Sequence, residues 1–111
     1  MYVYDEANNL AKAIKESQEY LEYKKAKENI ESMPDDEKEK VKEFEKIRYE
    51  VQVLAFQGEK QDEEKMKKLQ ELYEMLMKDE KIKAYFDIEV RFNIMLADVN
   101  KIISESVQDL L

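Results

Sequence analysis

The residues with most scope for chemistry are carboxylates at helical spacing. Glu28-Asn-Ile-Glu31 and Glu71-Leu-Tyr-Glu74 each set two acids three residues apart. On a helix that spacing puts both on adjacent turns of one face, an arrangement able to grip a hard divalent cation. A Mg²⁺-dependent all-helical nucleotide hydrolase would add a Glu-x-x-Asp pair on a later helix, but Ala84 stands three residues before Asp87 and Met95 three before Asp98. A di-iron carboxylate bundle would need Glu-x-x-His, and the chain has no His. With 27 acidic residues among 111, such spacings arise by chance, and a solvated helix face is the simpler reading. Cys is absent too, so the side chains most often used for proton transfer near neutrality, nucleophilic attack and transition-metal binding are missing. Gly58 is the single glycine, which leaves no glycine loop to cradle phosphate. No catalytic, metal or cofactor-binding residue is assigned, and no cofactor is expected.

Lys24, Lys25 and Lys27 lie near Tyr20 and Tyr23, and aromatic stacking beside cations is one way to hold single-stranded nucleic acid. Glu19, Glu22, Glu28 and Glu31 dilute that patch, and a net charge of −8 opposes binding to polyanions. The tyrosines are expected to pack with their hydroxyls at the rim, and the six methionines to fill the core. No run of some 18 apolar residues exists, and the first residues lack the basic start and apolar stretch of a signal peptide. The chain therefore reads as a cytoplasmic protein.

The elements that carry these residues are all helical. Pro34 suits a first helical turn, Asp35, Asp36 and Glu37 complement the positive end of the helix dipole, and Gly58 sits where a left-handed residue closes a helix. Between them Val41, Phe44, Ile47, Val51 and Leu54 recur at spacings of three and four, which predicts one helix over 34–57. Asp62 is placed to cap a helix bearing Met66, Leu69, Leu72, Tyr73 and Leu76, and Asp79 reads as a junction or second cap. From there Ile82, Tyr85, Phe86, Phe92, Leu96, Val99, Ile103 and Leu110 keep helical spacing nearly to the C-terminus. Nearer the start, Ala7, Leu10, Ala11 and Ile14 form a short amphipathic face, and Ser17 predicts a break near residues 16–18. No stretch alternates with strand period. At 111 residues the chain is about one domain's worth, so 1–111 is expected to form one all-α, antiparallel helical bundle with two long amphipathic helices and shorter N-terminal ones.

Phe44 and Phe92 are expected in the packed centres of the two long helices. The last helix has more apolar surface than one neighbour can cover: Ile82, Phe86, Ile88, Phe92, Met95, Val99, Ile102 and Ile103 span a wide arc, and arcs of that kind mark an interface. A homodimer that completes the bundle is the simplest expectation, with a docking face for a regulatory protein partner as the other use of the same residues. Asn93 and Asn100 stand on or beside that stripe, either fixing register across an interface or facing solvent. A non-enzymatic helical adaptor or regulator is the leading reading. A Mg²⁺-dependent hydrolase using Glu28, Glu31, Glu71 and Glu74, or a small RNA-associated factor using Lys24, Lys25 and Lys27, are the alternatives.

The order of residues also resembles a known family. Tyr4-Asp-Glu-Ala-Asn-Asn-Leu-Ala-Lys-Ala-Ile14, followed by Ser17-Gln-Glu-Tyr20, is similar to the N-terminal signature of the YlbF/YmcA-like proteins of Gram-positive bacteria. A Phe44-centred helix running to Gln57-Gly58-Glu59, and the final segment Glu89-Val-Arg-Phe92 to Lys101-Ile-Ile103, continue in register. The likeness spans essentially the whole chain and is closest to the YheA-type branch. It implies an all-helical, oligomerising protein with no established enzymatic activity. YlbF and YmcA assemble with a third protein, YaaT, and influence RNA processing through the membrane-anchored RNase Y. Relatives are associated with iron–sulfur clusters held by cysteines, which this chain lacks.

Overall fold

A computed structural model describes all residues, Met1–Leu111, and every regular element is helical. In chain order these are α1 (Val3–Glu16), α2 (Gln18–Glu31), α3 (Asp35–Phe56), α4 (Glu63–Leu76) and α5 (Glu80–Glu105), with one 3₁₀ turn at Gln108–Leu110. α5 stops short of the expected C-terminal end, and Leu110 lies on the 3₁₀ turn, 80% exposed.

Local chemistry sets each boundary. Ser17, in extended conformation at ψ 151°, separates α1 from α2. Its hydroxyl donates to the Ile14 carbonyl at 2.6 Å and accepts from the Tyr20 N–H at 3.1 Å, so one side chain closes one helix and opens the next. At the end of α3, Gly58 takes φ +70°. Its N–H reaches the Ala55 carbonyl at 3.2 Å while that of Glu59 reaches Leu54 at 3.0 Å. This double bond pattern satisfies the last carbonyls of the helix and needs a left-handed residue between them. Asp62 then opens α4 by accepting from the N–H groups of Glu64 and Lys65, and Asp79 opens α5 by accepting from those of Lys81 and Ile82.

The chain divides into two compact units, Asn29–Lys83 and Met1–Glu28 with Ala84–Leu111. In the first, α3 and α4 lie antiparallel: Lys68 meets Glu43 at 2.6 Å and Lys65 meets Glu50 at 3.0 Å, and Phe44 packs against Tyr73 with ring centroids 6.1 Å apart. The ion pairs are largely solvated and contribute register more than energy. The burial that holds this unit comes from Ile30, Val41, Phe44, Ile47, Leu72, Leu76 and Ile82.

In the second unit, α2 and α5 also run antiparallel, since Tyr23 meets Glu89 and Tyr20, three residues earlier, meets Phe92, three residues later. Its buried side chains are Ala26, Tyr85, Phe86 and Glu89. No residue of α1 is buried, and none after Glu89. The methionines depart from expectation: none is buried, and Met66 and Met75 are exposed, because the aliphatic and aromatic side chains named above already close the interior.

Candidate functional site

The carboxylate pairs are not assembled into a site. Glu28, Glu31, Glu71 and Glu74 are all exposed, and no group of three or more His, Cys, Asp or Glu residues is placed to hold a metal ion. Glu31 is 3.8 Å from Lys38, and Glu74 accepts from Gln70 at 3.4 Å, the ordinary duties of surface acids. Lys24, Lys25 and Lys27 are exposed too, with the Lys27 ammonium 4.8 Å from the centre of the Tyr23 ring.

Instead, the second unit places a buried carboxylate beside a cluster of rings. Glu89 is only 7% exposed and accepts from the Tyr23 hydroxyl at 3.0 Å. Tyr23 stands 5.1 Å from Phe92 and 5.9 Å from Tyr85 between ring centroids, and Tyr20 reaches Phe92 at 6.3 Å. Burial pushes the Tyr23 phenol above its usual pKa of 10.0; the Tyr85 hydroxyl bonded to it pulls down, and the Glu89 charge pushes up again. A tyrosine kept protonated beside a carboxylate can donate one hydrogen bond and hold α2 to α5 in a single register. The expectation that tyrosine hydroxyls sit at the rim fails at Tyr85, which is 3% exposed, while half-buried Tyr23 spends its hydroxyl on the buried acid. The signal lay in the sequence: Glu89 stands four residues after Tyr85 and three before Phe92, inside the apolar arc.

The expected interface residues separate along α5. Ile82 and Phe86 are buried at 2% and 8% exposure, so neither offers a surface. Ile88, Phe92, Met95 and Val99 are half-buried, while Ile102 and Ile103 are exposed. Phe92 therefore lies at the edge of the packing, unlike Phe44, which is 5% exposed. Asn93 and Asn100 face solvent. Between the start of α2 and this part of α5 runs a groove of about 430 Å³ whose apolar residues are Ile94, Met95, Val99 and Ile102. No helix is long and apolar enough to cross a membrane.

Comparison with known proteins agrees with this architecture. The sequence profile of the family described as "Control of competence regulator ComK, YlbF/YmcA" matches residues 3–108. A UPF0342 protein of Symbiobacterium thermophilum is 39% identical over 105 residues, covering 95% of this chain and 93% of its own. A second, from Caldicellulosiruptor bescii, is 36% identical over 108 residues, covering 96% and 88%. The solved structure titled "Protein of Unknown Function (DUF964) from Bacillus stearothermophilus" superposes with a TM-score of 0.78 over 97% of this chain and 94% of that one; at 18% identity it shows a shared helical fold alone. With a profile match over nearly its whole length and relatives above 30% identity, the chain belongs to the YlbF/YmcA family.

Proposed function

We propose that this protein is a non-enzymatic regulator or adaptor that acts through protein contacts and self-associates along the outer side of α5. One observation carries the reading: Met95, Val99, Ile102 and Ile103 form a continuous apolar stripe at spacings of four, three and one, and the stripe becomes more exposed toward its end, with Ile102 and Ile103 68% and 52% exposed. An apolar stripe on a well-formed helix whose end has no cover inside its own chain is the usual mark of an interface. The family description, control of a competence regulator, supports a regulatory role. Its place of action is taken to be the cytoplasm, where a protein of that kind meets its targets.

Affinity purification from the native cell at near-physiological salt, comparing tagged wild type with tagged Ile102→Glu, tests the reading. Wild type is expected to bring down untagged copies and at least one further protein, and the variant, with matched helical circular dichroism, to lose them. Retention of the same proteins by Ile102→Glu would place the working surface elsewhere.

A further inference from the structure

We propose that the groove between the start of α2 and the C-terminal half of α5 receives helix α1 of a second copy of the chain. The inference rests on the self-association proposed above and names the element that makes it.

Three properties of the groove define its occupant. Its length is that of a helix: from Arg91 to Ile102 along α5 is about 17 Å at 1.5 Å per residue. Its floor is apolar and about 430 Å³ in volume, with Ile94 and Ile102 54% and 68% exposed, so it holds room for side chains and lacks a partner inside the chain. Its rim is acidic, with Glu19, Glu22 and Asp98 against one cation, Arg91. The partner that fits is a short helix with small apolar side chains on one stripe and a basic flank.

Helix α1 has that form. Its 14 residues make about 21 Å of helix, enough to fill the groove from end to end. Leu10 and Ile14 are half-buried, but the adjoining stripe of Tyr4, Ala7 and Ala11 is exposed along its whole length. The two alanines present little bulk, and helix axes approach most closely where the side chains at the contact are small. Lys15 continues the same stripe four residues after Ala11, with Lys12 beside it. Seating this stripe in the partner's groove sets Lys12 and Lys15 against the acidic rim while Ala7 and Ala11 cover Met95, Val99 and Ile102. The chain's own α1 leaves the groove open, so the seat is available to a neighbour. A two-fold axis lets each copy give its α1 and receive the other, which closes the assembly as a dimer.

Sedimentation equilibrium over a micromolar range tests this with four variants, each checked for unchanged helicity by circular dichroism. Lys12→Glu with Lys15→Glu is expected to weaken the dimer about tenfold, equivalent to roughly 1.4 kcal/mol, and so is Glu22→Lys with Asp98→Lys. A chain carrying all four changes should recover most of the loss, because the charges are again opposite. Ala11→Trp, which closes the seat sterically without touching charge, should give monomer. A wild type that dimerises while neither charge pair nor Ala11→Trp alters the constant would overturn the role of α1 and leave self-association standing. A wild type that stays monomeric throughout overturns both.

Discussion

The hydroxyl of Tyr23 on α2 donates to the buried carboxylate of Glu89 on α5 at 3.0 Å, tying two helices whose partners in sequence are 66 residues apart. A buried acid is costly unless hydrogen-bonded, so this bond does more than add a contact: it makes one register of α2 on α5 preferable to any slipped one. Tyr23→Phe removes this donor from the buried carboxylate. The expected cost is about 1–3 kcal/mol in urea unfolding. Glu89→Gln, which keeps an acceptor oxygen, should cost less than Tyr23→Phe. Equal or smaller loss for Tyr23→Phe than for an exposed control such as Glu64→Ala would mean that the bond does not hold the helices.

The same pair gives a pH signature. The Tyr23 phenol is raised above 10.0 in the folded chain, first by burial and also by the Glu89 charge, so folded protein keeps this proton to higher pH than unfolded protein does. The associated stability is whole below that ordinary value and is lost as pH rises through the elevated one. Melting temperature should fall on the alkaline side more steeply in wild type than in Tyr23→Phe. Parallel alkaline limbs in the two proteins would contradict this origin.

The turn between α3 and α4 isolates two local effects. A Cβ built on Gly58 meets nothing within 4 Å, so Gly58→Ala is opposed only by φ +70°, a strain of about 1–2 kcal/mol. Asp62→Ala removes a side chain that caps two N–H groups and should cost about 1 kcal/mol. The turn joins only α3 to α4, yet both changes should show in the midpoint of thermal unfolding. Asn at position 58 should recover part of the glycine's advantage, since it tolerates the left-handed region better than Ala.

Phe44 and Phe92 separate by burial. Phe44→Ala empties a site that is 5% exposed and packed on Tyr73, and should cost about 3–5 kcal/mol. Phe92→Ala, half-buried against Tyr20 and Tyr23, should cost clearly less. Chemical denaturation of both variants checks the order, and a larger loss at Phe92 would reverse the assignment of the inward face.

Much of the fold is written in short-range chemistry. Ser17, Pro34, Gly58, Asp62 and Asp79 mark helix ends by what each does within a few residues of itself, so their roles follow from sequence, and α3 at Asp35–Phe56 lies within one residue of the expected 34–57 at each end. For Glu89 the sequence shows only a place inside the apolar arc between Tyr85 and Phe92; its bond to Tyr23 was not legible, because that partner is distant in sequence and an acid is read as solvated until a donor is found for it. The division of the α5 stripe into a buried start at Ile82 and Phe86 and an open end at Ile102 and Ile103 was hidden for a related reason: periodicity says which residues share a face but not how far along the helix its neighbours extend.

Self-association through the open end of α5 is the claim on which the functional account turns, and sedimentation equilibrium of wild type beside Ile102→Glu measures it. Wild type is expected at twice the 13.4 kDa chain mass at micromolar concentration, and Ile102→Glu at the mass of one chain. A wild-type mass of 13.4 kDa over the full range, or a dimer that Ile102→Glu leaves intact, would contradict it.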